Sequence, residues 1–499
     1  MNNQKLFFQK KGCETMKETI SKVLEANLRD WNDWCWQMKQ KSICSDFSNL
    51  SALGLISPDV KEQRRRVGLT PYNVKLLLYL KESDPQGYDA ESLQSFLPSG
   101  KNDEEHQWAW ARRHDLPSSR FWVRLPVPRF FKTLFTGRGS DTEIQTLEKM
   151  YPHTDVLIAT AMCARHCSFC FREVGDARGE AARMTGSMNA VMNAVQAIIA
   201  RKTPHVLVTG GDPLTRSNQQ LCQMLAPLVE SKTVQVLRLA TRLVVDLPMR
   251  CYDEELLAML RDFAQQMKRR HASFRIVTHI NHPCELTLEA VKALENIQAC
   301  GIEVMNQTAV LHGVNDDVAT LRKLLMETDR LGVRNYKLFH SMPVKGTEKL
   351  RVPIRKFREL VSSLHQWLPG TSVPPANVVT LVGKMPVSPS GRWMFPIPFT
   401  NRILCRSFRG EWYLFKDIWD IGRHLREAMV LVTVVLILTV LPLAKLSDPV
   451  SENRTANQTQ SITRVAMLAD ELGYPDAWAR QRFAPFVEGN TLYLPLHGL

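Results

Sequence analysis

The sequence has little that would direct it out of a reducing compartment. Its first twenty residues contain one short apolar run, Leu6 to Phe8, with lysines on both sides. A secretory signal needs a longer apolar stretch, so we expect none here. Eleven cysteines in 499 residues are too sparse, and odd in number, for a disulfide-stapled secreted domain. We therefore expect a cytoplasmic protein whose thiols are free to bind metal.

Glycine and proline, at 24 and 27 residues, are too few for a collagen-like or low-complexity chain. Hydrophobic residues make up 44% and charged residues 23% of the chain, as is typical of folded domains. Acidic residues are the scarcer charge, because Lys+Arg 64 against Asp+Glu 50 gives a formal net charge of +14. That excess favours an anionic partner and does not choose among nucleic acid, a membrane surface and a phosphorylated cofactor.

Short apolar runs alternate with amphipathic stretches from Asp155 onward. Strands separated by single helices predict βαβ units with a parallel sheet, and hence an α/β fold. Six or seven such units favour a partial β/α barrel, whose chemistry lies at the carboxyl ends of the strands. The predicted strands are 156–161, 205–210, 234–240, 274–280, 301–311, 333–340 and 377–383. The predicted helices are 184–200, 217–229, 253–268, 287–299, 316–331 and 353–366.

The regions on either side of this pattern lack its rhythm. We predict a mostly helical N-terminal region over 1–145, the barrel over 146–384, a C-terminal cap over 385–417 and an extension over 418–499. Residues 428–444 carry no charge and are at the short limit of the roughly 17 to 25 residues that a spanning helix needs. A membrane helix, which would attach the protein to a membrane, and a buried helix or strand pair both fit this composition.

Cys163, Cys167 and Cys170 follow the first predicted strand of the array with the spacing C-x-x-x-C-x-x-C. Three thiolates on a short loop can hold three irons of a 4Fe–4S cluster and leave the fourth iron open. S-adenosylmethionine can chelate that iron through its amino and carboxylate groups, and Phe169 can pack on its adenine. A structural zinc site is the alternative, but its nearest fourth ligand, His166, adjoins Cys167 and could not easily face the same ion.

A glycine pair follows the next predicted strand, in the segment TGGDPL at 209–214. Gly210 and Gly211 let the backbone approach a ligand closely. Their carbonyls, or the Asp212 carboxylate, can meet the ammonium of S-adenosylmethionine. A turn followed by a helix cap is the alternative for this segment taken alone. Its place one βα unit after the cysteines favours the cofactor site.

An ordered set of motifs resembles the lysine 2,3-aminomutase family of radical S-adenosylmethionine enzymes. The set spans roughly residues 28 to 417 and comprises WNDWCWQ (31–37), YP (151–152), the cysteine loop, TGGDPL, LATR (239–242), THINHP (278–283), NQTAVLHGVND (306–316) and GKMPV (383–387). The resemblance implies a partial β/α barrel with a 4Fe–4S cluster, S-adenosylmethionine and pyridoxal phosphate. It also implies an electron donor such as flavodoxin or ferredoxin, and movement of an amino group between the α and β carbons of an amino acid.

The resemblance further implies roles for single residues. Lys384 matches the lysine that binds pyridoxal phosphate covalently, and its place after the last predicted strand puts it near the barrel mouth. Arg172 matches the arginine that holds the substrate carboxylate, a group that suits a guanidinium. Asn306 and Gln307 match residues of the cofactor pocket, and His279 stands at a strand end facing the same mouth. For these three, a polar residue that merely lines the barrel is the alternative.

Some positions depart from the family pattern. The resemblance implies that lysine-specific members use two acidic residues for the ammonium of the substrate side chain. The matching positions here are Met342, or its neighbour Ser341, and Thr380, none of which is acidic. Zinc-binding members have a cysteine where Asp317 stands, so we expect no zinc. The arginines that the resemblance implies for the cofactor phosphate are replaced by Met150 and Thr154. We therefore expect a substrate pocket that includes Met342 and Thr380 and does not favour lysine.

These observations together predict an isomerase. We expect an amino-acid 2,3-aminomutase that acts on a small amino acid through a 5′-deoxyadenosyl radical and a pyridoxal phosphate imine. A first alternative is a radical S-adenosylmethionine enzyme that modifies RNA or a translation factor, which the positive charge would suit. A second alternative is a membrane-associated protein with a degenerate enzyme domain, suggested by 428–444 and the missing phosphate arginines. A homo-oligomer is compatible with each reading.

Overall fold

The computed structural model describes most of the region in which the motifs lie. The described residues are 19–56, 67–95, 146–151, 153–170, 187–341, 348–380, 383–388, 394–407, 412–418, 420, 424–434, 486–488 and 491–493. The chain divides into two compact units, Met1–His424 and Leu425–Leu499. All of the candidate site residues belong to the first unit.

Short helices precede the sheet. Several of them begin at acidic or amide side chains, because Asn27, Asp33 and Asp46 accept hydrogen bonds from backbone N–H groups of the following turn. Their apolar faces form a separate core that includes Leu50 and Leu77. The described helices of this region are α1 (19–24), α2 (Leu28–Asn32), α3 (Trp34–Lys39), α4 (Lys41–Cys44), α5 (Phe47–Ala52), α6 (Pro71–Ser83) and α7 (Pro85–Gln94).

A nine-stranded sheet forms the centre of the first unit. Its strands are β1 (Leu147–Tyr151), β2 (Thr154–Thr160), β3 (His205–Gly210), β4 (Val236–Ala240), β5 (Ser273–Thr278), β6 (Glu303–Val310), β7 (Arg334–His340), β8 (Ala376–Thr380) and β9 (Gly383–Val387). They lie side by side in chain order. The strands β2 to β8 are parallel, whereas β1 and β9 run antiparallel to their neighbours. The predicted α/β class and parallel sheet are therefore confirmed.

Helices connect the parallel strands and bury apolar residues against one face of the sheet. They are α8 (Met188–Ala200), α9 (Asn218–Glu230), α10 (Leu243–Asp246), α11 (Glu254–Arg269), α12 (Leu288–Ala299), α13 (Val318–Arg330) and α14 (Ile354–Trp367). In α11, Leu256, Leu260 and Phe263 recur at helical spacing and pack into the main core between β2–β6 and the helices. A second core lies around β7 to β9 and includes Phe357 and Met385.

The order of the strands and the handedness of their connections are those of a partial barrel. Crossovers between neighbouring parallel strands are right-handed, so an order without reversal puts the helices on one face and leaves the other face as an interior. Arg238 of β4 and Lys384 of β9 interact electrostatically, although four strands lie between them in the sheet. That interaction requires the sheet to curve around its interior. The described strands β1 and β9 do not pair with each other, so the barrel stays open between these edges.

Each predicted strand and helix overlaps an observed element, but β1 was not predicted and one predicted strand was wrong. The prediction 205–210 coincides with β3 at both ends. The prediction of one strand over 377–383 was wrong, because the chain reverses direction between Thr380 and Gly383 and starts β9 there. The two residues between the strands, Leu381 and Val382, are apolar, so the sequence shows no break in composition where the direction changes. Lys384 consequently lies within a strand instead of after the last one.

A small antiparallel sheet follows the barrel. Its strands are β10 (Met394–Pro396), β11 (Arg402–Arg406) and β12 (Trp412–Lys416), and Ile403 and Phe415 contribute to the second core. In the second unit, the described residues are a helical stretch over 425–434 and the pair β13 (Phe486–Glu488) and β14 (Thr491–Tyr493). No helix in the described ranges has both the length and the apolar character that crossing a bilayer requires. The rest of the predicted apolar segment, 435–444, lies outside those ranges.

Candidate active site

The three cysteines lie on the loop that leaves β2 at the carboxyl edge of the parallel strands. The N-terminal helices hold this loop at two places. Lys41 Nζ donates a hydrogen bond to the carbonyl of Cys163 at 2.7 Å. The backbone N–H of Ser168 donates to the carbonyl of Gln94 at 3.0 Å. The shape of the cysteine loop therefore depends on helices outside the barrel.

The glycine pair packs directly against the cysteine loop. Gly211 N–H donates to the carbonyl of Thr160 at 2.5 Å, and Asp212 N–H donates to the carbonyl of Met162 at 2.7 Å. Gly210 has a φ of 133°, a conformation that other residues rarely adopt. A Cβ atom on Gly211 would overlap the carbonyl oxygen of Met162. The close approach that the glycines permit thus joins the two loops on which the cofactor site is predicted.

Asp212 fixes the glycine loop to the end of β4. Its buried carboxylate accepts hydrogen bonds from the Thr241 hydroxyl at 2.8 Å and from the Arg242 backbone N–H at 2.6 Å. It also accepts one from the backbone N–H of Leu214 at 3.1 Å. Burial raises the pKa of Asp212 to about 6, although these hydrogen bonds favour the charged form. The carboxylate therefore has a structural task besides its predicted contact with S-adenosylmethionine.

Five buried charged residues, which we call the charge cluster, lie beside the cysteine loop. Arg165 of the loop forms salt bridges with Glu91 of α7 and, at 3.4 Å, with Asp246 of α10. Arg242 pairs with Glu285 at 2.7 Å and with Asp246 at 3.5 Å. None of these side chains is more than 9% exposed. Because buried charges are costly without partners, the charge cluster ties α7, the cysteine loop, β4 and the end of β5 into one arrangement.

Arg242 joins the charge cluster to the candidate metal ligands. Its Nη1 donates a hydrogen bond to Cys167 Sγ at 2.9 Å. Burial raises the pKa of Cys167 to about 12 and that of Cys163 well above its usual range, so these thiols are protonated without metal. Iron ions favour the thiolate form, and a donor to sulfur tunes such a cluster. The donor set of three thiols and one guanidinium fits a 4Fe–4S cluster.

A cluster of this kind needs a wider spacing of ligands than a single ion does, because each cysteine binds a different iron. Among the described residues, no three His, Cys, Asp or Glu side chains are arranged around one ion. The alternative of a mononuclear site would need a fourth ligand beside the three thiols. His166 Nε2 lies 3.2 Å from Lys41 Nζ, so this ring is engaged with α4.

Phe169 and His279 face each other next to the contact between Arg242 and Cys167. Their ring centroids are 5.0 Å apart, and the Arg242 guanidinium carbon lies 5.3 Å from the Phe169 centroid. Burial, together with the charge of Arg242, lowers the pKa of His279 to about 4, so the ring is neutral at pH 7. Its Nε2 is buried without a hydrogen-bond partner in the described part of the chain. Such an atom can serve a bound cofactor.

Asn306 and Gln307 stand together on β6 but differ in what their side chains do. Asn306 is buried, accepts a hydrogen bond from the N–H of Ile280 at 2.8 Å and donates to the Thr308 hydroxyl at 3.0 Å. It therefore holds the loop after β5. Gln307 is partly exposed and follows a shift in register between β6 and β7, a feature that re-aims side chains. Of the two, Gln307 is better placed to contact a cofactor.

Lys384 lies on β9, opposite Val379 of β8. Its neighbour Met385 packs into the second core, so strand alternation directs Lys384 to the barrel interior. Lys384 Nζ lies 5.4 Å from the ring centroid of Phe339. Burial lowers the pKa of Lys384, and the positive charge of Arg238 lowers it further. Because a lowered pKa increases the fraction of neutral, nucleophilic amine, this lysine fits covalent binding of pyridoxal phosphate.

Of the remaining predicted residues, only Thr380 lies in the described part of the chain. Arg172 and Met342 lie outside the described residues, and Thr380 is the last residue of β8, opposite Gly383. The charge cluster was missed by the sequence-based prediction. Arg242 belongs to the LATR motif, and this was the one feature of the sequence that could have pointed to the charge cluster. Its partners are dispersed along the chain, and no local pattern connects them.

Comparisons with known proteins identify the family of this chain. Residues 157–325 match the family model described as the Radical SAM superfamily. A provisionally named L-lysine 2,3-aminomutase of Aquifex aeolicus (strain VF5) is 32% identical over 56% of this chain and 73% of that protein. The glutamate 2,3-aminomutase of Clostridioides difficile (strain 630) is 27% identical over 82% of this chain and 89% of that protein.

The L-lysine 2,3-aminomutase of Clostridium subterminale is 28% identical over 76% of this chain and 83% of that protein. These relatives share one type of reaction, an intramolecular transfer of an amino group, and differ in the amino acid that their names give. The cofactors of this group are a 4Fe–4S cluster, S-adenosylmethionine and pyridoxal phosphate. The chain is an isomerase and belongs to the lysine 2,3-aminomutase family of radical S-adenosylmethionine enzymes.

Proposed function

We propose that this protein is an amino-acid 2,3-aminomutase that moves the α-amino group of an amino acid other than lysine to its β-carbon. One observation carries the proposal. Lys384, a half-buried lysine with a lowered pKa, lines the interior of the same barrel whose strand edge bears the cysteine loop. An enzyme that modifies RNA by radical chemistry alone has no need of such an amine, whereas an aminomutase uses it to hold its pyridoxal cofactor.

In this proposal the protein binds and orients groups that carry the difficult chemistry. Cys163, Cys167 and Cys170 hold the 4Fe–4S cluster, and Gly210 and Gly211 border S-adenosylmethionine. When bound, the cluster and S-adenosylmethionine would supply the 5′-deoxyadenosyl radical that removes a hydrogen atom, and pyridoxal phosphate would supply the π-system through which the amino group migrates. A reduced flavodoxin or ferredoxin supplies the electron, and the cytoplasm is the matching compartment.

Lys384 and Arg172 position the reacting molecule in this proposal. When pyridoxal phosphate is bound, the Lys384 amine would hold it covalently through its aldehyde, with release of water, and the substrate amine would take the place of Lys384. The Arg172 guanidinium binds the substrate carboxylate through two parallel hydrogen bonds. Placement of the β-carbon close to the radical source is the main contribution of the chain.

The composition of the substrate pocket argues against lysine. The positions that match the acidic residues of lysine-specific relatives are Met342 and Thr380, which carry no charge. Burying an ammonium without a partner costs on the order of 3 kcal/mol. That cost corresponds to about a hundredfold loss in affinity or turnover. An amino acid with a neutral side chain meets no such penalty.

The test is a competition between amino acids on anaerobically reconstituted enzyme. Lysine, glutamate, leucine and phenylalanine are supplied at equal concentration, and β-amino acid products are separated and identified by mass. We expect product from a neutral amino acid, with β-lysine at about a hundredth of its level. A majority of β-lysine would contradict the pocket assignment. No β-amino acid from an enzyme that cleaves S-adenosylmethionine would contradict the aminomutase and favour a macromolecular substrate.

A paired substitution sharpens this test. Met342→Asp combined with Thr380→Asp restores two negative charges, and we expect it to raise lysine turnover by about tenfold or more. Met326→Asp is the matched control, since Met326 is 54% exposed on α13 and its charge remains in solvent. A rise in lysine turnover in the control as well would show a general charge effect instead of a pocket.

A further inference from the structure

Arg238 and Lys337 are cationic side chains that, like Lys384, point into the barrel. In β4, Leu237 and Leu239 belong to the main core, so Arg238 between them lies on the opposite, interior face. In β7, Leu338 belongs to the second core, so alternation places Lys337 on the interior face. Arg238 and Lys337 are therefore directed to the same space from two different strands.

Lys384 interacts electrostatically with both of these cations. The charge of Arg238 acts on Lys384 from β4, and the charge of Lys384 acts on Lys337, whose pKa is lowered by burial and then by this charge. Neither pair lies on neighbouring strands: four strands separate Arg238 from Lys384, and one strand separates Lys337 from Lys384. Lys384 Nζ and Lys337 Nζ each lie 5.4 Å from an aromatic ring centroid of β7, Phe339 and Tyr336 respectively. Lys384 and Lys337 thus lie beside aromatic rings of β7, and Arg238 faces the same interior.

The described residues offer no counter-ion to Arg238 or Lys337. Neither side chain forms a salt bridge or a hydrogen bond within those residues, and the Nε of Arg238 is buried without a partner. Their neighbour Arg275 differs, because it pairs with Glu303 at 2.7 Å. Glu303 also pairs with Arg334 at 3.2 Å, so it is fully engaged. Partly buried cations without partners are unfavourable, and an anion in this space would relieve that cost.

Arg238 lies near a position where the family resemblance implies a phosphate-binding arginine that this chain lacks. Thr154, where the family resemblance implies an arginine for the cofactor phosphate, pairs with His205 in the register of β2 and β3. Arg238 acts on His205, whose pKa is lowered by burial and then by the charge of Arg238. Arg238 therefore places positive charge next to the position from which the expected arginine is missing.

We propose that Arg238 and Lys337 form an oxyanion-binding site in the barrel interior beside Lys384, and that the oxyanion is the phosphate of pyridoxal phosphate. The proposal rests on the proposed function, because it uses Lys384 as the covalent anchor of that cofactor. In pyridoxal phosphate the aldehyde and the phosphomethyl group stand on neighbouring ring carbons. A phosphate site close to the anchoring lysine is therefore what this cofactor requires, and a guanidinium with an ammonium suits a phosphate dianion.

The experiment compares pyridoxal phosphate with pyridoxal, which lacks the phosphate. Binding of each to cofactor-free full-length protein is followed by visible absorbance, with Arg238→Gln and Lys337→Met as variants. Arg334→Gln is the matched control, since Arg334 lies on the same strand as Lys337 and is 62% exposed. We expect the wild type to prefer pyridoxal phosphate, and inorganic phosphate to compete with it but not with pyridoxal.

The expected result in each site variant is a loss of about tenfold or more in that preference, with pyridoxal affinity within about twofold of the wild type. The control should keep the full preference. An unchanged preference in both site variants would overturn the proposal. Loss of the response of loaded enzyme to glutamate, with the preference intact, would also overturn it and assign the cations to a substrate carboxylate.

Two further measurements separate this proposal from the proposed function. Borohydride reduction and peptide mapping on the wild type show whether Lys384 carries the cofactor, and a label elsewhere contradicts the proposed function. Calorimetry with inorganic phosphate alone needs no lysine adduct. Phosphate binding to the wild type that is lost in Arg238→Gln and Lys337→Met supports the oxyanion site, and binding that persists in both contradicts it.

Discussion

At the scale of single residues, Gly211 is the position where one methyl group has the clearest effect. Gly211→Ala would force the Cβ atom into the carbonyl oxygen of Met162, so the two loops must separate. We expect a loss of about 1 to 3 kcal/mol in unfolding free energy and about tenfold weaker binding of S-adenosylmethionine. Thermal unfolding and equilibrium binding measure these effects.

The control for this change is Gly370→Ala, because nothing lies within 4 Å of a Cβ atom at Gly370. We expect it to retain both stability and binding. Equal losses in the two variants would show that the close packing of Gly211 against Met162 is unimportant.

His340 makes stability depend on pH. It is 1% exposed and packs between Phe357 and Phe415, at ring-centroid distances of 5.4 and 6.0 Å. Burial, with the charge of Arg351, lowers the pKa of His340 to about 4, against about 6.5 in an unfolded chain. Between these values only the unfolded state binds the proton, so acidification favours unfolding. From pH 7 to pH 5 the loss from this group is about 2 kcal/mol.

Urea unfolding at pH 7 and pH 5 tests this account, with His340→Gln as the variant. Glutamine does not titrate, so the difference in unfolding free energy between the two pH values should shrink by about 2 kcal/mol relative to the wild type. The same difference in both proteins would assign the pH dependence to other groups.

At the scale of elements, the cysteine loop should determine cluster binding as a unit. Replacement of Cys163, Cys167 or Cys170 by Ala removes one of three iron ligands, and we expect loss of the cluster and of S-adenosylmethionine cleavage. Iron content and visible absorbance of anaerobically reconstituted protein measure the cluster. Cys222→Ala is the control, since Cys222 is exposed on α9, and it should keep about one cluster per chain. Full cleavage activity in any loop variant would refute the assignment.

Elements could be predicted from the sequence where local patterns determine them. The strand at 205–210 is an apolar run that ends at a glycine, and helices such as α11 repeat leucines at helical spacing. The division between β8 and β9 could not be predicted, because apolar residues continue across Thr380 and Gly383. Local composition reports burial, and it does not report the direction of the chain.

The candidate site divides in the same way. The cysteines, the glycine pair and Lys384 lie in short motifs, so their chemistry is visible in sequence. Glu91 and Glu285 are charged residues in the interior, where composition predicts apolar ones. Their positions follow from tertiary contacts with Arg165 and Arg242, which no local pattern encodes.

At the scale of the whole molecule, the first unit contains every described part of the site. Removal of residues 425–499 should therefore leave cluster binding and S-adenosylmethionine cleavage within about twofold of the full chain. Iron content and cleavage rate of the shortened protein test this expectation. A folded but cluster-free product would show that the second unit takes part in the site.

The charge cluster also sets an order of events during synthesis of the chain. Glu91 emerges from the ribosome before Arg165, and Arg242 and Glu285 emerge later still. Because domains fold as their segments become available, the cysteine loop cannot gain its final supports until Glu285, in the segment that follows β5, has been made. Iron offered earlier would meet thiols without a fixed arrangement. The arrangement that supports the candidate metal ligands therefore becomes available only after residue 285 has been made, while strands β6 to β9 are still to be added.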